Sequence, residues 1–396
     1  LVAGLGLFEL TKLPIDAVPD ITNRQVQITT VAPALAPEQI ERQVTYPLET
    51  GLAGIPGLTS TRSLSRNGFS QITAIFTDQT DIYFARQQVA ERLAAAREGL
   101  PEGVEPAMSP ITTGLGEVLM WTVDYVPFNS QNLAQPGQPG WQPGGVYLTP
   151  EGERLTTPEQ RATYLRTVQD WIIAPQMRSA EGLAGVDTVG GYVKEYAVRP
   201  DPARLSGYGL GLSDLVEALE RANTQAGAGY IQRAGEALVV RTDALASTVE
   251  DLAQAPVVNR GGLVVRVADV ATVEIGQEPR LGGASRDGHE AVLGTALMIA
   301  GGNSRTVAQA AADRLAEVDD SLPPGIVATT VLNRSELVNS TIATVARNLS
   351  EGALLVVLVL FLLLGNIRAA TITALMIPLS FLFAVIGMNR FGISGN

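Results

Sequence analysis

The sequence predicts an α+β protein in which a βαββαβ unit occurs twice, together with transmembrane α-helices. The first observation behind this prediction is the order of strand and helix patterns, which recurs along the chain and matches the ferredoxin-like arrangement. The second is an uncharged apolar run at 353–364, ALLVVLVLFLLL, followed by a largely apolar run at 369–389. The third is an extra α/β pattern inside the second copy, which predicts an inserted subdomain.

The two apolar runs predict a membrane hairpin. One helix over 335–364 is amphipathic at its start and lipid-facing at its end, and a helix over 369–389 follows after a short loop with Arg368. Residues 1–13 are also largely apolar. They fit either a buried core helix or the end of an earlier membrane helix. We favour the membrane helix and expect the chain to be a fragment of a longer protein.

The first βαββαβ unit covers 14–111. Its first helix opens at Pro37, because proline is favoured in the first helical turn. Asn67 and Gly68 predict the tight turn between the second and third strands. The predicted elements of this unit are 25–31, 37–52, 59–65, 72–76, 81–98 and 104–110.

The second unit repeats this order within 112–334. Thr157, Pro158 and Gln160 form a capping box for its first helix. The stretch 90–104 (AERLA to LPEGV) aligns without a gap with 312–326 (ADRLA to LPPGI), which supports an internal repeat. The predicted elements are 117–125, 157–177, 186–189, 192–198, 292–299, 306–318 and 326–332.

Two insertions interrupt the second unit. The larger insertion predicts an α/β subdomain with a Gly-rich arm at 223–230; its other elements are 213–222, 238–241, 245–253, 263–266 and 270–275. The smaller insertion, 127–154, is rich in Gln, Pro and Gly. This composition predicts a surface loop with little regular structure.

Composition excludes several classes of function. The net charge is −12, and an acidic exterior disfavours nucleic acid and attracts cations. The chain has no cysteine and one histidine, so thiolate and His-rich metal sites are excluded within it. No nucleophile–base pair or phosphate-binding glycine loop rises above background, so an enzyme is not expected.

Several short motifs, taken together, resemble one family. They are LPIDAVPDITN at 13–23, QVQI at 25–28, QVTYPLE at 43–49, GLGE at 114–117, QDW at 169–171 and VGGYVKEY at 189–196. In this order they resemble the heavy-metal efflux branch of the resistance-nodulation-division (RND) transporters, of the cobalt–zinc–cadmium type. The resemblance covers essentially the whole chain.

The resemblance implies the N-terminal part of a proton-driven inner-membrane exporter of divalent metal cations. It implies a bacterial multi-pass protein with a large periplasmic domain, no cofactor beyond the transported cation, and a homotrimer that works with a periplasmic adaptor and an outer-membrane channel. The implied divisions are a first membrane helix ending at 13, porter subdomains at 14–111 and at 112–192 with 283–334, a docking subdomain at 193–282, and membrane helices at 335–364 and 369–389.

The resemblance also gives the Gly-rich arm a role. It implies that Gln225, Gly227 and Gly229 lie in a loop that reaches into the neighbouring protomer. A glycine-rich segment can approach another backbone closely. The alternative is a flexible hairpin without a partner.

Four acidic residues are predicted as transient ligands of the transported cation. Glu117 is the first candidate because it heads an apolar strand, where a carboxylate is costly unless it faces a cleft or a partner. Simple alternation places Glu117 on one strand face with Leu119 and Trp121. The further candidates are Asp124, Asp170 and Asp187. An exposed strand-end role for Glu117 and a structural role for Asp170 stay open.

Other functions also stay open at this point. A membrane-tethered periplasmic binding or adaptor module without transport would have the same organisation. A relative that exports copper, silver or organic compounds would need thioether ligands or an aromatic cleft. The six methionines have no ligand-like spacing and aromatic content is 5%, which favours export of divalent cations.

Overall fold

The computed structural model describes residues 2–13, 22–32, 35–129, 131–223, 227–233, 236–241, 246–260, 262–280, 282–364, 367–391 and 395. Within these residues, three separate clusters of buried side chains form around two larger sheets and one smaller unit. The strands and helices come close to those predicted, with the exceptions given below.

The first sheet is antiparallel, with strand order β2-β3-β1-β4. Gly68 has φ +70° in the predicted turn between β2 and β3. Asp81 caps the second helix by accepting a hydrogen bond from the Phe84 backbone N at 2.9 Å. The last strand is shorter than predicted. The elements are β1 Gln25–Val31, α2 (Pro37–Ile40, a π-helical turn Glu41–Thr45, and Tyr46–Leu52), β2 Leu58–Arg66, β3 Phe69–Phe76, α3 Ile82–Ala96, a 3₁₀ turn Arg97–Gly99 and β4 Pro106–Met108.

The second sheet has the corresponding order, with β9-β17-β5-β18 hydrogen-bonded in sequence and β16 at the edge of β17. Gly294 in β17 faces Trp121 in β5, and a Cβ at this position would overlap the indole ring. The predicted capping box at Thr157 is present. The elements are β5 Glu117–Tyr125, α4 (Pro158–Val168, a π-helical turn Gln169–Ile173, and Ala174–Met177), β9 Leu183–Val189, β16 Ala284–Arg286, β17 His289–Met298, α9 Ser304–Asp319 and β18 Ile326–Asn333.

Each π-helical turn precedes a proline, Pro47 in α2 and Pro175 in α4. Proline has no N–H, and its ring clashes with the carbonyl four residues earlier. The wider turn removes this clash, with the backbone N of Tyr46 bonded to the carbonyl of Glu41, five residues earlier. In α4 this wider turn carries Asp170.

The segment 127–154 is folded, and the prediction of a loop with little structure is wrong. It forms a small antiparallel sheet of β6 Gly140–Gln142, β7 Val146–Leu148 and β8 Arg154–Leu155. Trp141 and Tyr147 from this sheet are buried against the core of the second unit. The Trp141 indole N donates to the Val126 carbonyl at 2.8 Å. The buried aromatic surface outweighs the loop-like composition of the segment.

The inserted unit between β9 and β17 has its own core around Leu205, Leu215, Val267 and Val270. A strand at 256–260 was not predicted, and the arm is a hairpin in which β11 pairs with β12. Gln225 lies outside the described residues. The elements are β10 Lys194–Pro200, α5 Pro202–Gly207, α6 Leu212–Ala222, β11 Gly227–Arg233, β12 Glu236–Arg241, α7 Val249–Gln254, β13 Pro256–Arg260, β14 Leu263–Arg266, α8 Val267–Val270 and β15 Ala271–Gln277.

Three apolar helices complete the chain: α1 Val2–Lys12, α10 Arg334–Leu364 and α11 Ile367–Arg390. Among the described residues, α10 and α11 are each long and apolar enough to cross a membrane. Helix α11 contacts both α1 and α10. Glu9 of α1 accepts a hydrogen bond from the Asn389 side chain of α11.

Candidate functional site

The second sheet has two unlike faces, and the helices cover one of them. The Trp121 indole N donates to Gln169 Oε1 of α4 at 2.9 Å, and the Tyr125 hydroxyl donates to the Arg161 carbonyl of α4 at 3.1 Å. Alternation along β5 therefore places Leu119, Trp121 and Tyr125 on the helix-covered face. We call the opposite surface the open face; it carries Met120, Thr122 and Asp124.

Glu117 lies on the open face, so its predicted position beside Leu119 and Trp121 is wrong. The pairing of β5 with β17 shifts register at this end, so that Leu297 is opposite Glu117 while Ala296 is opposite Leu119. Val118 and Leu119 are both fully buried. Val118 has no partner in this pairing and is therefore the extra residue of a β-bulge. A β-bulge inverts the alternation beyond it, which moves Glu117 to the face opposite Leu119. The Glu117 side chain itself is exposed.

Asp187 lies on the same open face, two strands away from Glu117. It pairs with Thr295 of β17, which in turn pairs with Met120 of β5. Strands two apart are separated by about 10 Å. Asp187 is exposed at its surface, yet nearby protein atoms remove part of the water around the carboxylate, and this desolvation raises the pKa of Asp187 above its ordinary value.

Asp124 lies at the far end of β5 and is half-buried. Burial raises its pKa; a hydrogen bond from the Tyr125 backbone N at 2.8 Å and the positive charge of Arg286 partly oppose this rise. The Arg286 guanidinium donates to Thr122 Oγ1 at 3.0 Å. Arg286 therefore lies over the open face, next to Asp124. Sequence patterns did not identify this residue, although the Asp287-Gly288 turn that carries it is a recognisable hairpin signal.

Asp170 belongs to the helix layer, on the other side of the sheet. Its carboxylate forms an ion pair with Arg166 Nε at 2.6 Å, and Arg166 also donates to the Gly190 carbonyl at 3.0 Å. This arrangement agrees with a structural role for Asp170. The adjacent Trp171 is 79% exposed and does not pack against the core.

An aromatic cleft of about 840 Å³ borders Asp124. Tyr125, Trp141 and Phe128 form part of its lining, and the Arg161 guanidinium lies 5.8 Å from the Trp141 ring centre. The sequence analysis missed this cleft because two of the aromatic residues come from the segment predicted to be a loop. The alternation of Trp, Tyr and Phe with turn residues in that segment was the available signal.

The acidic residues of the open face do not form a metal cage. Among the described residues, no group of three or more His, Asp or Glu side chains is placed to hold one metal ion. A divalent cation holds its oxygen ligands at about 2.0–2.6 Å. Glu117 is opposite Leu297 and Asp187 is opposite Thr295, so their backbones are two strands apart and two residues out of step, about 12 Å. The arrangement suits separate and weak contacts with cations.

The fold and the open face define a class: an α+β protein with apolar helices of membrane-spanning length and an acidic, partly exposed sheet face. Comparison with known proteins then identifies the family. The AcrB/AcrD/AcrF family model matches residues 1–396. The chain belongs to this family and, as its motifs predicted, to the heavy-metal efflux branch of the RND transporters.

Relatives with heavy-metal resistance names match over the whole chain. The nickel-cobalt-cadmium resistance protein NccA of Alcaligenes xylosoxydans xylosoxydans is 54% identical over 396 residues, which are 37% of its length. The cobalt-zinc-cadmium resistance protein CzcA of Cupriavidus metallidurans is 47% identical over 395 residues, 35% of its length. The chain therefore spans little more than a third of these relatives.

A solved structure supports the same assignment. A crystal structure of a heavy metal efflux pump aligns with a TM-score of 0.83 and 30% sequence identity, covering 100% of this chain and 36% of that pump.

Proposed function

We propose that this chain forms the N-terminal part of a proton-driven inner-membrane exporter of divalent heavy-metal cations. The observation that carries this proposal is the full-length alignment, at 54% identity, with a nickel-cobalt-cadmium resistance protein. The name of CzcA, the relative that is 47% identical, also contains cobalt and cadmium and in addition contains zinc. The substrate class is therefore nickel, cobalt, zinc or cadmium.

In this proposal the two larger sheets are two ferredoxin-like porter subdomains, at 14–111 and at 112–192 with 283–334. The observation that supports a repeat is the matching strand order of the two sheets. The unit at 193–282 is the docking subdomain, and its separate core supports that division. Residues 1–13, 335–364 and 369–389 are membrane helices, with the units between them in the periplasm.

The assembled pump is a homotrimer that works with a periplasmic adaptor and an outer-membrane channel. The hairpin of β11 and β12, with Gly227 and Gly229 in its first strand, contributes to contacts between protomers. Deleting 225–229 in the full-length pump should shift trimers towards monomers, as measured by native mass spectrometry. An unchanged trimer would show that the hairpin is not needed for assembly.

The open face of the second sheet is the part of this chain along which cations pass. Glu117 and Asp187 each contact the ion, because both carboxylates lie on this face while Asp170 is paired with Arg166. Asp124 provides a further carboxylate at the far end. Weak contacts made in turn suit transport, since a tightly bound ion would be released slowly.

The test is metal resistance in a metal-sensitive bacterium that expresses the full-length pump. Glu117→Gln keeps the size of the side chain and removes its charge, so folding should change little at this exposed position. Resistance to cobalt, zinc or nickel should fall at equal expression. The matched control is Glu102→Gln, an exposed carboxylate in the first unit, which should keep full resistance. Full resistance in Glu117→Gln would place the cation path elsewhere.

A further inference from the structure

Helix α10 carries polar side chains along one face between Ser340 and Glu351. Ser340, Thr344, Arg347 and Glu351 follow one another at spacings of four, three and four residues, which places them on one side of a helix. All four side chains are exposed. We call these four residues the polar stripe.

The polar stripe lies on the side of α10 that faces away from α11. Ala353, Val357 and Leu360 are half-buried, at spacings of four and three residues, in a helix that contacts α11. At about 100° per residue, Glu351 is rotated roughly 160° from Ala353. The other apolar helices therefore leave the polar stripe uncovered among the described residues.

Part of the polar stripe lies at membrane depth. A span of about 20 residues counted back from Leu364 begins near Val345, so Glu351 lies about 9 Å below the outer boundary. The hairpin leads to the same result. Glu351 lies 13 residues before the end of α10 at Leu364, and Ser380 lies 13 residues after the start of α11 at Ile367, so the two are level in the hairpin. Asn389, near the other end of α11, is nine residues or about 13 Å further towards the outer boundary.

Two charged side chains of the polar stripe need a partner at that depth. Thr344 satisfies its own hydroxyl by donating to the Ser340 carbonyl at 2.9 Å. Arg347 and Glu351 form an ion pair at 3.2 Å, yet their side chains are 80% and 69% exposed. A guanidinium has five N–H donors, and this contact uses one of them. Ionisable side chains in a membrane face the protein interior or water, since exposure to lipid is costly.

The contact between α1 and α11 shows how this chain handles a polar group when a partner is present. Glu9 and Asn389 lie on two helices that touch, and their side chains are hydrogen-bonded to each other. The Arg347–Glu351 pair has no such neighbouring helix among the described residues. Relatives of this chain are nearly three times as long, with 37% of one of them covered.

We propose that the polar stripe is a packing surface for a further membrane helix of the same full-length polypeptide, one that presents an acceptor oxygen to Arg347. A carboxylate or side-chain amide supplies that oxygen. The proposal depends on the membrane placement of α10 and not on which cation the pump exports. A failed test of metal resistance would therefore leave this proposal standing, and a failed test of helix packing would leave the proposed function standing.

The first experiment uses nitroxide spin labels in the full-length pump in lipid bilayers. The chain has no cysteine, so Asn348→Cys, beside the polar stripe, and Leu349→Cys, at the same depth on another side, label single positions within it. The Asn348 label should be immobile and several-fold less accessible to oxygen than a label in free lipid. Leu349 lies one helical turn before Ala353, on the side towards α11, so its label reports depth and should have no access to a water-soluble nickel chelate.

Three results would overturn the proposal. An oxygen-accessible Asn348 label would show that the polar stripe faces lipid. Access to a water-soluble nickel chelate at Asn348 would show a water-lined surface. Strong dipolar broadening between Asn348 labels would show that a second copy of the protein covers the stripe. Water access at Leu349 as well would place this part of α10 outside the membrane.

A second experiment tests the requirement for polar contacts. Changing both Arg347 and Glu351 to Leu should lower the thermal stability of the full-length pump, because the acceptor on the partner helix loses its donor. The matched control changes Arg199 and Glu274, an exposed ion pair at 2.8 Å outside the membrane helices, to Leu and should have little effect. An unchanged or raised stability in the Arg347/Glu351 variant would contradict the proposal, since a lipid-facing pair is improved by leucine.

Discussion

Replacing Trp141 by alanine tests whether the 127–154 segment is a folded part of the second unit. Trp141 is 7% exposed, and its ring centre lies 5.3 Å from that of Tyr125 and 5.6 Å from that of Tyr147. Removal of a buried tryptophan side chain costs about 3–5 kcal/mol. The lost hydrogen bond to the Val126 carbonyl adds about 1 kcal/mol.

The lost stabilisation shifts the equilibrium between the packed segment 127–154 and a locally opened form towards the opened form. Since each 1.4 kcal/mol is a tenfold change, the lower end of this loss, about 4 kcal/mol, raises the opened population by roughly three orders of magnitude. The assay is limited proteolysis with a non-specific protease, followed by mass spectrometry of the first cut. Cleavage of Trp141→Ala within 127–154 should be much faster than in the wild type.

Trp171 provides the matched control, because it is 79% exposed. Exposed substitutions change stability by about 0.5 kcal/mol or less, so Trp171→Ala should leave the cleavage rate within 127–154 unchanged. Equal resistance in Trp141→Ala and the wild type would refute the packing argument. Rapid cutting of the wild type within this segment would show that it is not stably folded.

Three further predictions follow from single contacts. Gly294→Ala should destabilise the second unit in thermal unfolding, because its Cβ would overlap the Trp121 indole; an unchanged melting temperature would contradict this. The raised pKa of Asp124 means that its carboxyl favours the folded state at low pH and that this contribution is lost as pH rises through the folded-state pKa. Asp124→Asn should therefore raise the free energy of unfolding at neutral pH, and this gain should disappear towards acid pH. A gain in the free energy of unfolding that does not depend on pH would refute this reasoning. An impermeant thiol reagent should label Ser247→Cys, but not Asn366→Cys, in cells with a permeabilised outer membrane; the reverse pattern would invert the proposed topology.

Much of the local structure follows from the sequence because the signals are local. The capping box at Thr157 and the turn at Asn67-Gly68 each depend on a few neighbouring residues, and the structure confirms both. The helices at 334–364 and 367–390 also follow from local apolar runs. The family followed from short motifs in their order along the chain.

Two errors of the sequence analysis concern residues whose environment is formed by distant parts of the chain. Turn-rich composition predicted a loop at 127–154, yet Tyr147 is buried and its hydroxyl donates to the Pro324 carbonyl at 2.8 Å, 177 residues away. Alternation placed Glu117 beside Trp121, but the register shift against β17 moved it to the open face. A β-bulge depends on the partner strand, which one strand's own sequence does not reveal.

The sequence by itself determined most of the elements, the two long apolar helices and the family, because capping boxes, tight turns and apolar runs act through neighbours along the chain. Only the tertiary structure decided which carboxylates share a surface. Glu117, Asp124 and Asp187 are all acidic and all lie in or near strands in the sequence; strand register brought them to one face, while Asp170 lies in α4, which covers the other face. Strand register is a relation between distant residues, so it exists only once the chain has folded.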